Sequence, residues 1–127
     1  MSKTVAEKLG FKPGMRVRVQ GAPDGLGLGL PAAAEGPFDL LLFFVPDTAA
    51  VAPAAVLADE AYRDGARLWF AYPKKTGQLA TDISRDHGWE PVAARGLLPV
   101  TQIALDETWS ALRFRRRGEI AKLTRRF

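Results

Sequence analysis

The run Phe38-Asp-Leu-Leu-Leu-Phe-Phe-Val45 constrains the fold most, because after Asp39 every side chain is apolar and none marks a solvent face. A strand with one wet face alternates polar and apolar residues, whereas an unbroken apolar run is covered on both faces and is central in its sheet. The Asp47-Thr48 pair after Pro46 can cap a helix that is under way by Pro53, since proline is tolerated only in a first turn. Val51, Ala55, Ala58 and Tyr62 recur at helical spacing as its buried stripe, and Gly65 ends it. Ala66 to Tyr72 is a second apolar strand. A helix of this length carries the chain back across the sheet, so the two strands are parallel.

The remaining segments fill in around this unit. A short amphipathic helix is predicted over Lys3 to Leu9, stopped by Gly10, with Lys12-Pro13-Gly14 as the turn into the first strand. Met15 to Gln20 alternates, with Met15, Val17 and Val19 on one side, as expected of a half-buried edge strand. Ile83 to Ala94 reads as short helical pieces broken by Gly88 and Pro91 and capped by Thr81 or Asp82. Val100 to Leu105 and Trp109 to Arg115 read as an antiparallel hairpin turning through Asp106-Glu107-Thr108, and a last helix is expected from about Glu119 to Arg126. The expected sheet order is Met15 to Gln20, Phe38 to Val45, Ala66 to Tyr72, Trp109 to Arg115, Val100 to Leu105. Residues 1–127 thus form one α/β domain, a mixed sheet of about five strands ending in an antiparallel hairpin.

Cysteine is absent, so disulfides and thiolate chemistry are excluded and a cytoplasmic location is the expectation. The longest apolar run, Leu40 to Val45, is too short to span a bilayer, and Met1 to Gly10 lacks the apolar core of a secretion signal. No membrane partner is expected. Residues 111–127 carry a net +6 of a chain total of +4, leaving −2 for the rest. Arg115, Arg116, Arg117, Arg125 and Arg126 read as solvated charges, with phosphate binding on a nucleic acid as the open alternative.

Side chains able to bind or react concentrate after the second buried strand, from Tyr72 through Lys74, Lys75, Thr81, Asp82, Arg85 and Asp86 to His87. Loops at strand ends are where α/β sheets build ligand sites. Lys74 and Lys75 can meet an anion, and Tyr72, Asp82, Arg85 and Trp109 complete the candidate ligand-binding set. Asp82 reads more readily as a helix cap than as an acid, Asp106 and Glu107 as turn residues, and Trp109 as packing. His87 is the one histidine, too little for a metal site, and no Gly-x-Ser-x-Gly elbow supplies a nucleophile. The glycine-rich stretch Gly21-Ala-Pro-Asp-Gly-Leu-Gly-Leu-Gly29 matches neither the dinucleotide fingerprint nor the P-loop and reads as a tight return from the edge strand. No metal and no cofactor is expected.

Gly14-Met-Arg-Val-Arg-Val-Gln-Gly21, Phe38-Asp-Leu-Leu-Leu-Phe43, Gly65-Ala-Arg-Leu-Trp-Phe70 and the closing hairpin together resemble a truncated class I methyltransferase, the Rossmann-like fold that binds S-adenosylmethionine. About sixteen residues between Gly21 and Phe38 leave no room for two of that fold's βα units. Lys8-Leu-Gly-Phe-Lys-Pro-Gly14, Leu68-Trp69, Tyr72-Pro-Lys-Lys75, Thr81-Asp-Ile83 and Asp106-Glu-Thr-Trp-Ser-Ala-Leu-Arg-Phe114 resemble an uncharacterised family of small bacterial proteins, a domain of unknown function. That resemblance implies the same compact α/β fold and brings no activity. The expected function is a non-catalytic binding module for a small anionic ligand or a macromolecular partner. The alternatives are a minimal transferase using Asp82, His87 or Asp106 as acid or base, and a nucleic-acid-associated protein using the C-terminal arginines.

Overall fold

A computed structural model describes residues 5–22, 30, 37–63, 66–74, 82–84 and 87–116. Its element order is α1 (Val5–Leu9), β1 (Val17–Gln20), β2 (Leu40–Phe44), α2 (Thr48–Ala61), β3 (Arg67–Pro73), α3 (Glu90–Ala93), β4 (Leu97–Ala104) and β5 (Trp109–Arg116). The five strands form one mixed sheet in the order β1-β2-β3-β5-β4, the order expected from the sequence. β1, β2 and β3 run parallel, and β5 pairs antiparallel with both β3 and β4.

Every residue of β2 is buried, which is why its sequence carries no alternation. Leu41, Phe43 and Val45 join Leu68, Phe70, Tyr72, Leu112 and Phe114 under the α2 and α3 layer. Leu40, Leu42 and Phe44 join Trp69, Ala71, Trp109 and Ala111 on the opposite face, where Leu9 of α1 packs. Each fully buried Phe or Leu contributes about 1.5–3 kcal/mol relative to exposure, so β2 draws on both layers at once. The indole of Trp69 donates to the Leu9 carbonyl at 3.0 Å and ties α1 to β3 across 60 residues.

α1 closes as a glycine-terminated helix, with Gly10 N–H bonded to the Glu7 carbonyl and Phe11 N–H to the Ala6 carbonyl. Gly10 has φ +90°, a conformation that favours glycine over any residue with a side chain, and the Arg67 side chain packs directly over it.

Several boundaries differ from the sequence reading. Pro53 lies in the second turn of α2 rather than the first. Ala49, whose carbonyl loses its helical donor, and Pro53 are both exposed, so water can take up that carbonyl. β4 begins at Leu97 and contains Pro99, because an edge strand tolerates a proline and the register shifts between Pro99 and Thr101. Of the helical pieces expected over Ile83 to Ala94, only Glu90–Ala93 is helical among the described residues. Ser84 and His87 instead form an isolated antiparallel bridge, and Trp89 donates its indole N–H to the Ser84 carbonyl at 2.8 Å. Arg116 is not simply solvated: it bonds Asp59 at 3.4 Å and lies 4.8 Å from the Tyr62 ring centroid. Lys3, the segment from Glu119 to Arg126, Arg117 and Asp24 to Gly29 lie outside the described residues.

Candidate functional site

Because β1, β2 and β3 are parallel, their carboxyl ends at Gln20, Phe44 and Pro73 share one edge of the sheet. The Asp106 to Thr108 turn joins them there, since β5 begins beside the end of β3 and Lys74 N–H donates to the Thr108 carbonyl at 2.8 Å.

The candidate side chains do not all gather on this edge. Tyr72 pairs with Ser110 and Pro73 with Trp109, so Tyr72 and Trp109 fall out of phase and enter opposite layers. Tyr72 is 4 % exposed, accepts a hydrogen bond on its hydroxyl from Gln102 at 2.8 Å and meets Trp89 edge to face. Trp109 is 7 % exposed and packs against Phe44 with ring centroids 5.1 Å apart. Both are core residues whose backbone happens to border the edge. Lys74 is partly exposed at the end of β3. Lys75 and Arg85 lie outside the described residues.

Asp82 is a cap, although of α2 rather than of the segment that begins beside it. Its carboxylate accepts the backbone N–H of Thr48 at 2.9 Å and the Thr48 hydroxyl at 2.6 Å, closing the start of α2 from 34 residues away. Asp47, the local cap, accepts from Ala50 N–H at 3.1 Å. Two carboxylates at one helix N-terminus also sit favourably in its dipole. The Thr48 hydroxyl, followed by its N–H, holds the Asp82 carboxyl below the usual aspartate range. Gly88 makes the approach of this segment feasible. Its φ is +103°, and an added Cβ would stand 2.7 Å from Thr48 Cγ2.

Asp106 is similarly engaged, accepting from Thr108 N–H at 2.8 Å and Trp109 N–H at 2.7 Å. This is the geometry of an Asx turn opening a strand. His87 is exposed, with its backbone in the bridge to Ser84. Among the described residues no group of three or more His, Asp or Glu is placed to hold a metal ion, and no helix is long and apolar enough to cross a membrane.

A cleft of about 210 Å³ opens between the carboxyl ends of β1 and β2 and the first half of α2. Gln20, Gly21, Phe43 and Phe44 line it from the sheet, and Ala50, Pro53, Ala54 and Leu57 from the helix. The lining is mainly apolar. Sequence reasoning found the Val51, Ala55, Ala58, Tyr62 stripe, all buried as expected, but missed this adjacent one. Its signal was the small residues Ala50 and Ala54 one position before each buried residue, which leave space where a longer side chain would fill it. No family model matches the sequence, and no curated protein matches it.

Proposed function

We propose that this chain is a non-catalytic binding module that takes a small ligand at the carboxyl edge of its parallel strands. The observation that carries this reading is the apolar cleft between Phe43, Phe44 and the Ala50, Ala54, Leu57 face of α2. Crevices at carboxyl strand ends are the usual ligand position in open α/β sheets. A volume of about 210 Å³ suits a single ring, since an apolar cavity of about 150 Å³ already accommodates benzene. Gln20 lines the cleft with its amide oxygen accepting from Arg18 at 2.9 Å, so in this reading its NH2 group orients a polar edge of the ligand, and Lys74 at the end of β3 on the same sheet edge is the cation assigned to an anionic substituent.

A minimal transferase on a degenerate methyltransferase-like fold is the second reading, favoured by the closing antiparallel hairpin beside β3. Weighing against it, Asp82 and Asp106 already accept hydrogen bonds from Thr48 and from the turn amides, so neither is poised to move a proton.

A thermal-shift screen of single-ring compounds, adenosyl compounds and nucleotides against the wild type and Ala54→Leu tests both readings. Ring compounds that raise the melting temperature of the wild type and fail to raise that of Ala54→Leu are the expected result. Equal shifts in both proteins would remove the cleft as the site. A shift confined to adenosyl compounds would favour the transferase reading.

A further inference from the structure

The polar corner of the cleft is built by two neighbours on β1. Val17 belongs to the layer that holds Leu9, and Val19 packs against it, so Arg18 and Gln20 alternate onto the opposite face, the one that carries α2. Register sets Gln20 beside Phe43, and both line the cleft. Arg18 is half-buried and reaches these same two residues. Its guanidinium donates to the Gln20 amide oxygen at 2.9 Å and lies over the rings of Phe43 and Phe38, 5.8 and 5.9 Å from their centroids. Among the described residues no carboxylate bonds it. Two rings and one amide thus hold a positive charge against the wall of an apolar slot. The side-chain chemistry of this corner is one-sided. Arginine only donates hydrogen bonds, so the Gln20 oxygen is the end that faces it and the Gln20 NH2 group is the end left to a ligand.

We propose that the ligand of the cleft is an aromatic carboxylate, its ring between Phe43 and the Ala50, Ala54, Leu57 face of α2 and its carboxylate bound by Arg18 together with the Gln20 NH2 group, an assignment that rests on the single-ring reading of the cleft and names the class of ligand it takes. An ionised carboxylate only accepts hydrogen bonds, and its planar pair of oxygens matches the guanidinium fork. An amine or an alcohol would bring N–H or O–H groups to side chains that offer donors, and would leave the guanidinium charge unanswered. A phosphate monoester carries about −1.5 to −2 near neutral pH, so one guanidinium would leave part of that charge unpaired beside an apolar lining. The carboxylate is attached at or next to the ring, because Arg18 touches two residues of the lining itself. Lys74 ends β3, with β2 between it and β1, and is placed for a longer anionic arm.

The test is an NMR titration of the full chain with benzoate and with its neutral counterpart benzamide, on wild type, Arg18→Gln, Arg18→Lys and Ala54→Leu. Benzoate should bind wild type at least about tenfold tighter than benzamide, the scale of a hydrogen bond to a charged group. Arg18→Gln should erase that preference, and Arg18→Lys, which keeps the charge and loses the planar fork, should restore only part of it. Should Arg18→Gln fail to fold, Arg18→Lys decides alone, and a full benzoate preference there overturns the proposal. Ala54→Leu should lose both probes, because it fills the space for the ring. If both probes bind wild type and fail on Ala54→Leu, yet benzoate has no advantage or keeps it in Arg18→Gln, the cleft stands as a ring site and the carboxylate assignment is overturned. If both bind Ala54→Leu as they bind wild type, the ring site falls and the assignment with it. Absence of benzoate binding to wild type overturns the assignment, while the ring site falls only if other single-ring compounds fail as well. A preference erased by Lys74→Gln instead of Arg18→Gln, or phenyl phosphate binding tighter than benzoate, also overturns it.

Discussion

Asp82 grips Thr48 through both its backbone N–H and its hydroxyl, at 2.9 and 2.6 Å, and so fastens the segment after β3 to the start of α2. The same threonine presents its methyl group to Gly88, and Ile83 beside Asp82 is fully buried under α2. One residue at a helix start thereby organises a loop more than thirty residues later in the chain.

Removing this grip should weaken the fold without abolishing it. Asp82→Ala is expected to lower the melting temperature by about 3–6 °C, the scale of a lost helix cap in a domain of this size. Thr48→Val should cost a similar amount, and the double variant less than the two effects added. Strict additivity in thermal melts would show that the two side chains do not act as a pair.

Acid should release it. The Asp82 carboxyl is held below its ordinary range by Thr48, and the Asp39 carboxyl by the Arg16 N–H first and by Arg63. An aspartate with a lowered folded-state pKa stabilises the fold above its unfolded value of about 3.9, and that contribution is lost as pH falls through the folded value. The melting-temperature gap between wild type and Asp82→Asn should therefore be largest near neutral pH and shrink below about pH 4. A gap independent of pH between about 2 and 7 would refute the assignment.

Gly88→Ala tests the close approach. A side chain at φ +103° is strained and meets Thr48 Cγ2 at 2.7 Å, and the expected cost is about 1–3 kcal/mol by chemical denaturation. A loss of under about 0.5 kcal/mol, the range of an ordinary surface substitution, would mean the segment moves away from α2 without penalty.

Trp69→Phe keeps an aromatic ring in the layer beneath α1 but leaves the Leu9 carbonyl without its indole donor. A destabilisation of about 1–3 kcal/mol is expected, the cost of stranding a buried polar group. Amide exchange in α1 should accelerate more than in β2, because α1 is held at its end by this bond whereas β2 is buried on both faces.

Local sequence pattern was enough to read most of the sheet. Unbroken apolarity from Leu40 to Val45, alternation from Met15 to Gln20 and helical spacing from Val51 to Tyr62 are local consequences of which faces are covered, and they put the first strand at an edge, the second at the centre and the third parallel to it. It also marked Asp106 as a turn residue, because an Asx turn is closed within three positions. What those residues meet depends on packing between segments far apart in the chain. Periodicity does not say which of two buried layers Tyr72 and Trp109 enter; the β3 to β5 register does, and it sends the candidate ligand residues to opposite faces. Asp82 looked like the cap of the segment beginning beside it, yet it caps a helix 34 residues back, a pairing that no local pattern encodes. The cleft beside Ala54 likewise exists only once the ends of β1 and β2 are brought under α2, because the space there is shaped by segments distant in the chain.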